Sequence, residues 1–284
     1  MKNLFFAELY RAKKSKSPLI LLIVCFGMAL ITGATYGLMF GNAPWLTKMY
    51  NDYLGFNPFS LGDLELDAAD SDMLGLMGYY SVKSYGDFIA YGFQGVLRIF
   101  IVFFTAIFLT PLRRSGFIKN IASQHSRTEV FFVHAILIVI YSFLLTDATA
   151  IAMILMIFIF FRGLPTGGVL NLLVFTVTAA LLVSAIGIVV LMLTDLLRRQ
   201  TAAIVLSTIY LWIGAPLLFS MADVARIFSS DRTFRIQYIS LVGNLTLLSA
   251  GKWDTILSSL LVITAYVGIA VLLELTLIRR RDLL

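Results

Sequence analysis

A few polar side chains lie inside otherwise apolar stretches of this sequence, and they are the residues best placed to do chemistry. Arg98 lies in the stretch YGFQGVLRIF, and Gln94 precedes it by one helical turn on the same face. Asp147 is the one acidic residue in the middle of an apolar stretch. An ionised side chain inside a bilayer costs a few kcal/mol or more, so each must face a partner, a cavity or the membrane boundary.

Three interpretations of Arg98 and Asp147 follow from their depth. Arg98 lies 14 residues before the end of the predicted helix 88–112, and Asp147 lies 17 residues after the start of the predicted helix 130–161. If both of these helix ends are cytoplasmic, the two residues differ by ~5 Å along the membrane normal, so an ion pair is geometrically possible. They could instead lie independently near the outer boundary, as the neighbouring Tyr91 suggests, because aromatic residues gather there. They could also line a substrate path together with Gln94.

Covalent, metal and nucleotide chemistry have little support in the sequence. Cys25 is the only cysteine, so there is no disulfide framework and no thiolate metal site. No Gly-x-Ser turn or Glu-Glu pair occurs. The Gly251-Lys252 pair lacks the earlier glycine of a phosphate-binding loop and is followed by Trp253. We therefore expect no catalytic residue, no metal and no cofactor in this chain.

The composition is that of a membrane protein with several helices. Hydrophobic residues make up 60% of the 284, charged residues make up 13%, and the mean hydropathy is +0.91. A bilayer core of ~30 Å needs ~20 apolar helical residues. Six segments meet this requirement: 19–40, 88–112, 130–161, 169–193, 202–220 and 256–277. Without the alternation of a membrane barrel, they predict an all-α, polytopic fold with 1–284 as a single transmembrane domain.

The basic residues indicate which way the chain crosses the membrane. With six spans and both termini cytoplasmic, fourteen of the 22 Lys and Arg lie inside, seven lie outside and Arg98 lies within a span, as the positive-inside rule requires. The third segment would extend ~48 Å, but splitting it at 146–150 would place Arg198 and Arg199 outside. We therefore expect one long third helix. The basic residues are spread over several sites, which argues against nucleic acid as a partner.

Two predicted external loops are long. Residues 41–87 hold seven acidic residues against two lysines, together with many aromatic residues, and form an acidic extracellular loop. Residues 221–255 form a second extracellular loop of mixed charge. It contains the stretch YISLVGNLTLL, which is apolar enough for a short interfacial or re-entrant helix.

Three glycines in the first segment form a ridge. Gly33, Gly37 and Gly41 recur every four residues, and small residues at this spacing let two membrane helices approach closely. The ridge could pack within the helical bundle or form the seam between two copies of the chain.

The loop 113–128, which contains RRSGFIKNIASQHSR, connects the second and third segments on the predicted cytoplasmic side. Gly116 can begin a short helix at a bend. Phe117, Ile118 and Ile121 then form an apolar stripe at helical spacing, flanked by basic residues. A small amphipathic helix of this kind fits a groove on a soluble partner. The simpler alternative is a positively charged loop that anchors two helices.

These features resemble the ABC-2 type permeases, the membrane halves of a group of ABC exporters. The resemblance rests on the second span followed by SGFIKNIAS, SR and an apolar third span. The N-terminal FFAELYRAKKSKS is similar to the family's amphipathic helix that leads into the first span, here 1–17, and IRRRDLL is similar to its common ending. Within the family, the chain most resembles permeases of antimicrobial-peptide immunity and export, such as lantibiotic and bacitracin resistance transporters.

The resemblance implies a function and a set of partners. The chain would be a permease in the bacterial cell membrane that works with a separate ABC ATPase, which binds ATP and Mg, and with a second permease bundle, either a copy or a related subunit. Its substrates would be amphipathic or cationic peptides or other hydrophobic compounds. The segment that couples it to the ATPase would consist of Gly116, Phe117, Ile118, Lys119, Asn120, Ile121 and Ala122.

Two other classes of function remain as alternatives. An ion-coupled secondary carrier is disfavoured because Asp147 is alone near the midplane and no inverted halves are evident. An intramembrane enzyme is disfavoured because His134 is the only histidine at a span.

Overall fold

The computed structural model describes residues 2–41, 43–46, 48–49, 82, 84–109, 126–197, 200–215, 217–218 and 239–282. Every secondary-structure element within these ranges is helical. The α-helices are α1 (Lys2–Lys14), α2 (Lys16–Phe40), α3 (Tyr85–Gly92), α4 (Arg98–Phe103), α5 (Arg127–Phe160), α6 (Val169–Leu197), α7 (Gln200–Ile209), α8 (Leu241–Leu247) and α9 (Trp253–Asp282). Wider π-helical turns occupy Phe93–Leu97, Phe104–Leu109 and Tyr210–Gly214.

Four of these helices are long and apolar enough to cross a membrane. They are α2, α5, α6 and the part of α9 over Trp253–Ile278, and they coincide with the first, third, fourth and sixth predicted segments. Only 17% of the apolar window of α2 and of α9 is buried, against 67% for α6. The prediction of an all-helical membrane protein is confirmed at this level, with α6 inside the bundle and α2 and α9 at its surface.

The second and fifth predicted segments have a different form. Residues 85–109 run through α3, a π-helical turn, α4 and a second π-helical turn, and residues 200–214 run through α7 into the third π-helical turn. We call 85–109 the broken helix. A π-helical turn inserts an extra residue, and such turns often mark functional positions. All three π-helical turns among the described residues lie on these two segments. The two segments also contact each other, because α7 packs against the broken helix.

The central element is α5, a continuous helix of 34 residues. Ser126 caps its start by accepting a hydrogen bond from the Glu129 backbone N–H at 3.2 Å. The helix runs unbroken through 146–150, where the hydroxyls of Thr146 and Thr149 donate to carbonyls one turn earlier. Because these hydroxyls are satisfied within the helix, α5 can bury them without breaking.

Close helix packing around α5 depends on glycine. Met153 of α5 lies between two of them: a Cβ on Gly33 of α2 would lie 3.2 Å from its Sδ, and a Cβ on Gly92 of α3 would lie 2.7 Å from its Cγ. On α6, a Cβ on Gly187 would lie 2.6 Å from Ile138 Cγ2 of α5. These helices therefore approach α5 more closely than any larger residue would allow.

The short helix α8 lies within the predicted second external loop, in the stretch read as an interfacial or re-entrant helix. Asn244, which is buried to 1% exposure, accepts hydrogen bonds from the hydroxyls of Ser258 and Ser259 on α9, each at 3.2 Å. Ser240 caps its start through the Gly243 N–H at 2.8 Å. These bonds fix α8 against α9.

Candidate functional site

The predicted coupling segment, 116–122, lies outside the described residues. The described chain stops at Leu109, at the end of the second π-helical turn, and resumes at Ser126, the cap of α5. The geometry that bears on this segment is therefore that of the two helix ends from which it emerges.

The last turns of the broken helix are held by stacked side chains. Phe104 stacks on Tyr141 of α5 with ring centroids 3.7 Å apart, and Phe108 stacks on Phe104 at 5.4 Å. The Arg11 guanidinium of α1 lies over the Phe108 ring, 4.9 Å from its centroid. The Tyr141 hydroxyl donates to the Pro18 carbonyl at the start of α2, at 2.6 Å. This stack, from Arg11 to Pro18, joins α1, α2, α5 and the broken helix.

The inner face of α1 carries a charged pair. Glu8, at 4% exposure, faces the bundle, and its Oε2 lies 2.9 Å from Arg11 Nη2. The contact is an ion pair without the alignment of a hydrogen bond. Burial raises the pKa of the Glu8 carboxyl, and the nearby Arg11 charge opposes this with a smaller effect. Burial also lowers the pKa of Arg11.

The burial of Glu8 makes the docking of α1, that is, its packing against the rest of the bundle, sensitive to pH. Docking of α1 raises the Glu8 pKa, so the docked state favours the protonated acid. The stabilisation of the docked state by this proton is complete below the ordinary pKa of 4.5. It is lost as pH rises through the raised pKa. We expect α1 to become more mobile over that rise. A spin label at Tyr10→Cys, an exposed site on α1, in a Cys25→Ala background would report this motion.

Glu8→Gln provides the control for this prediction. The amide does not titrate, so label mobility in that variant should not change with pH. Equal pH dependence in both variants would assign the effect to another group.

Arg98 and Gln94 lie on the broken helix, beneath α8. Gln94 is in the first π-helical turn, and its Nε2 donates to the Thr246 carbonyl of α8 at 3.0 Å. Arg98 begins α4 directly after that turn and is half-buried. Its Nε is buried and has no hydrogen-bond partner. The structure thus bonds Gln94 to α8, whereas no hydrogen bond joins Arg98 to a described residue.

Asp147 does not meet Arg98. It lies on the exposed side of α5, between Leu144 at 48% exposure and Ile151 at 54%. No ion pair joins the two residues, although both belong to the described part of the chain. Although their predicted depths along the membrane normal are similar, the two side chains lie at different positions around the bundle.

The structure places the three predicted packing glycines against α5 of the same chain. The ridge extends to a longer buried stripe of small residues that begins at Cys25 and Ala29. A Cβ on Gly37 would lie 2.5 Å from Phe160 Cγ, and one on Gly41 would lie 2.7 Å from the Phe160 carbonyl oxygen. Within a single chain, α5 therefore occupies the ridge.

Several residues now in the site were not singled out from the sequence. Glu8, Arg11 and Phe108 had only weak signals: the first two are spaced as an i, i+3 ion pair, and Phe108 is one aromatic residue among many. Asn244 offered the better signal, because an asparagine in an apolar stretch needs buried hydrogen-bond partners.

Within the described ranges, no three His, Cys, Asp or Glu side chains come together to hold a metal ion. His134 is buried in α5 at 1% exposure, so it is packed within the bundle.

Comparison with known proteins gives no relative: no family model, no curated protein and no solved structure matches this chain.

Proposed function

We propose that this chain is the membrane-spanning permease subunit of an ATP-driven ABC exporter of the ABC-2 type. The observation that carries the proposal is the short segment 116–122, apolar on one face and flanked by basic residues, which connects the broken helix to the central helix α5. A segment of this kind suits a groove on a soluble ATPase. The chain has no phosphate-binding loop of its own, so ATP and Mg belong to that partner.

The proposed arrangement has six spans with both termini in the cytoplasm of a bacterial cell. The four long apolar helices supply four spans, and the broken helix and residues 200–214 supply the other two. The distribution of Lys and Arg supports this orientation. A second bundle, either a copy or a related subunit, completes the exporter.

The aromatic stack suggests how motion would pass from the ATPase into the membrane. A push on 116–122 reaches the π-helical turn Phe104–Leu109, whose rings stack on Tyr141 of α5 and lie under Arg11 of α1. Packed elements of this kind shift between discrete arrangements and do not bend continuously. The nucleotide cycle would therefore move the broken helix together with α1 and α5.

The proposed substrates are amphipathic or cationic peptides or other hydrophobic compounds, as in peptide export or immunity to antimicrobial peptides. The support is the acidic extracellular loop 41–87, whose seven acidic residues outnumber its two lysines. Such a loop attracts cations by charge complementarity.

The proposal is tested by reconstituting the chain in lipid with the ATPase encoded beside its gene. We expect the two proteins to co-purify and ATP hydrolysis to rise above that of the ATPase alone, with a further rise when a cationic amphipathic peptide is added. Failure to co-purify, together with unchanged hydrolysis, would contradict the proposal.

The sidedness of the coupling loop can be measured independently. Cys25 is the only cysteine and is fully buried, so Ser123→Cys in a Cys25→Ala background gives a single reactive thiol. Labelling from the cytoplasmic side alone is expected. Labelling only from outside would reverse the orientation and remove the basis for docking.

A further inference from the structure

On the proposed six-span topology, on which this inference rests, Arg98 lies within the membrane, and it has no counter-charge in the described structure. Its Nε is buried without a partner, and neither a hydrogen bond nor an ion pair joins the side chain to any described residue. Its terminal nitrogens are not among the buried atoms that lack a partner. The chain therefore covers the Nε side of the guanidinium, and the terminal nitrogens remain accessible to a ligand.

On the proposed topology, a cluster of aromatic rings puts Arg98 below the outer boundary of the membrane. Tyr36 of α2 and Tyr91 of α3 stack at 4.3 Å, and Phe40 stacks near both at 6.1 Å. Such a cluster is typical of the headgroup level. Arg98 follows Tyr91 by two helical turns, or ~10 Å along the axis. At that depth an uncompensated charge costs several kcal/mol.

The shortest route from Arg98 to external water is covered. Helical side chains lean toward the N-terminus, which on the broken helix is the Tyr91 end. On that side Gln94 is bonded to the Thr246 carbonyl of α8, and α8 is fixed to α9 through Asn244. Arg98 is therefore not a residue that simply reaches past the membrane boundary.

A helix that packs against α4 has an apolar exposed surface. The helix α7 packs against α4 and leaves Val205, Leu206 and Ile209 exposed at 50, 51 and 51%. On the broken helix itself, Ile107 is exposed at 45%. A ligand for Arg98 must thus carry a negative group and also an apolar part that can pack against apolar side chains.

We propose that Arg98 binds the oxyanion of an anionic amphiphile, a phosphate or carboxylate attached to an apolar chain, which reaches it from the membrane between the broken helix and α7. A guanidinium suits this group because it forms two parallel charge-assisted hydrogen bonds with a phosphate or carboxylate. The apolar chain lies against the exposed side chains of α7. This site goes beyond the proposed exporter function and does not require the ATPase.

The test uses the full chain, purified without a partner, in nanodiscs of phosphatidylcholine with increasing phosphatidylglycerol. For the wild type we expect phosphatidylglycerol to bind and to raise the thermal unfolding midpoint. Arg98→Gln should weaken that binding by about tenfold or more, because it removes charge-assisted bonds to the phosphate, and Arg98→Lys should retain part of it. Lys252→Gln, which removes the same charge at an exposed site, should behave as the wild type.

Stability in phosphatidylcholine alone separates a binding role from a structural one. There Arg98→Gln should be at least as stable as the wild type, because it removes a half-buried charge that no described residue neutralises. A loss of stability would show that Arg98 has a partner within the fold, and unchanged phosphatidylglycerol binding would show that the site is elsewhere. Either result overturns the proposal, and stabilisation by inorganic phosphate alone would overturn the requirement for an apolar chain.

Discussion

Gly37→Ala should destabilise the protein, whereas Gly27→Ala on the same helix should not. A Cβ at Gly37 would lie 2.5 Å from Phe160 Cγ and 3.0 Å from Phe160 Cβ. A ring held between α2 and α5 cannot yield as a flexible chain end can, so we expect a loss of about 1–3 kcal/mol in the free energy of unfolding. The measurement is thermal or denaturant unfolding in detergent or lipid.

Gly27 makes a matched control because a Cβ there meets nothing within 4 Å. Alanine at an open helical position is favoured over glycine by about 0.5–1 kcal/mol, so Gly27→Ala should leave stability unchanged or increase it slightly. The two substitutions are chemically identical and should act in opposite directions. Equal effects would mean that α2 does not pack on α5 through its glycine ridge.

Replacing Ile118 and Lys119 together should uncouple ATP hydrolysis from transport. Ile118→Ser removes the apolar stripe, and Lys119→Glu reverses the charge beside it. Under the proposed function, stimulation of the ATPase should fall to the level of the ATPase alone, and export or peptide resistance should be lost. Expression and membrane insertion should be unaffected, because neither residue lies in a span.

A control for the coupling variant makes the same changes on the predicted external side of the membrane. Ile239 is exposed at 52%, and Lys252 is also exposed. Ile239→Ser with Lys252→Glu should therefore leave stimulation and export as in the wild type. If the cytoplasmic double variant retained full stimulation, 116–122 would not be the coupling segment.

The membrane helices could be read from the sequence because their lengths are set by the bilayer. Twenty or so consecutive apolar residues leave few alternatives, and four predicted segments correspond to long helices, including α5 as one unbroken helix. The segments 88–112 and 202–220 were apolar enough to be noticed. Their π-helical turns could not be foreseen, because an extra residue in a helical turn leaves no mark on hydropathy.

The sequence alone predicted the four long apolar helices, because length and hydropathy mark such helices, and residue count along each helix gave a predicted depth for its residues. The tertiary structure decided which way each residue faces, because rotation about the helix axis depends on neighbouring helices. Arg98 and Asp147 show the difference: their predicted depths differ by only ~5 Å, yet Asp147 lies on the exposed side of α5 and Arg98 on the broken helix. Neighbouring helices likewise turn the glycine ridge of α2 toward α5 and Glu8 of α1 toward the bundle.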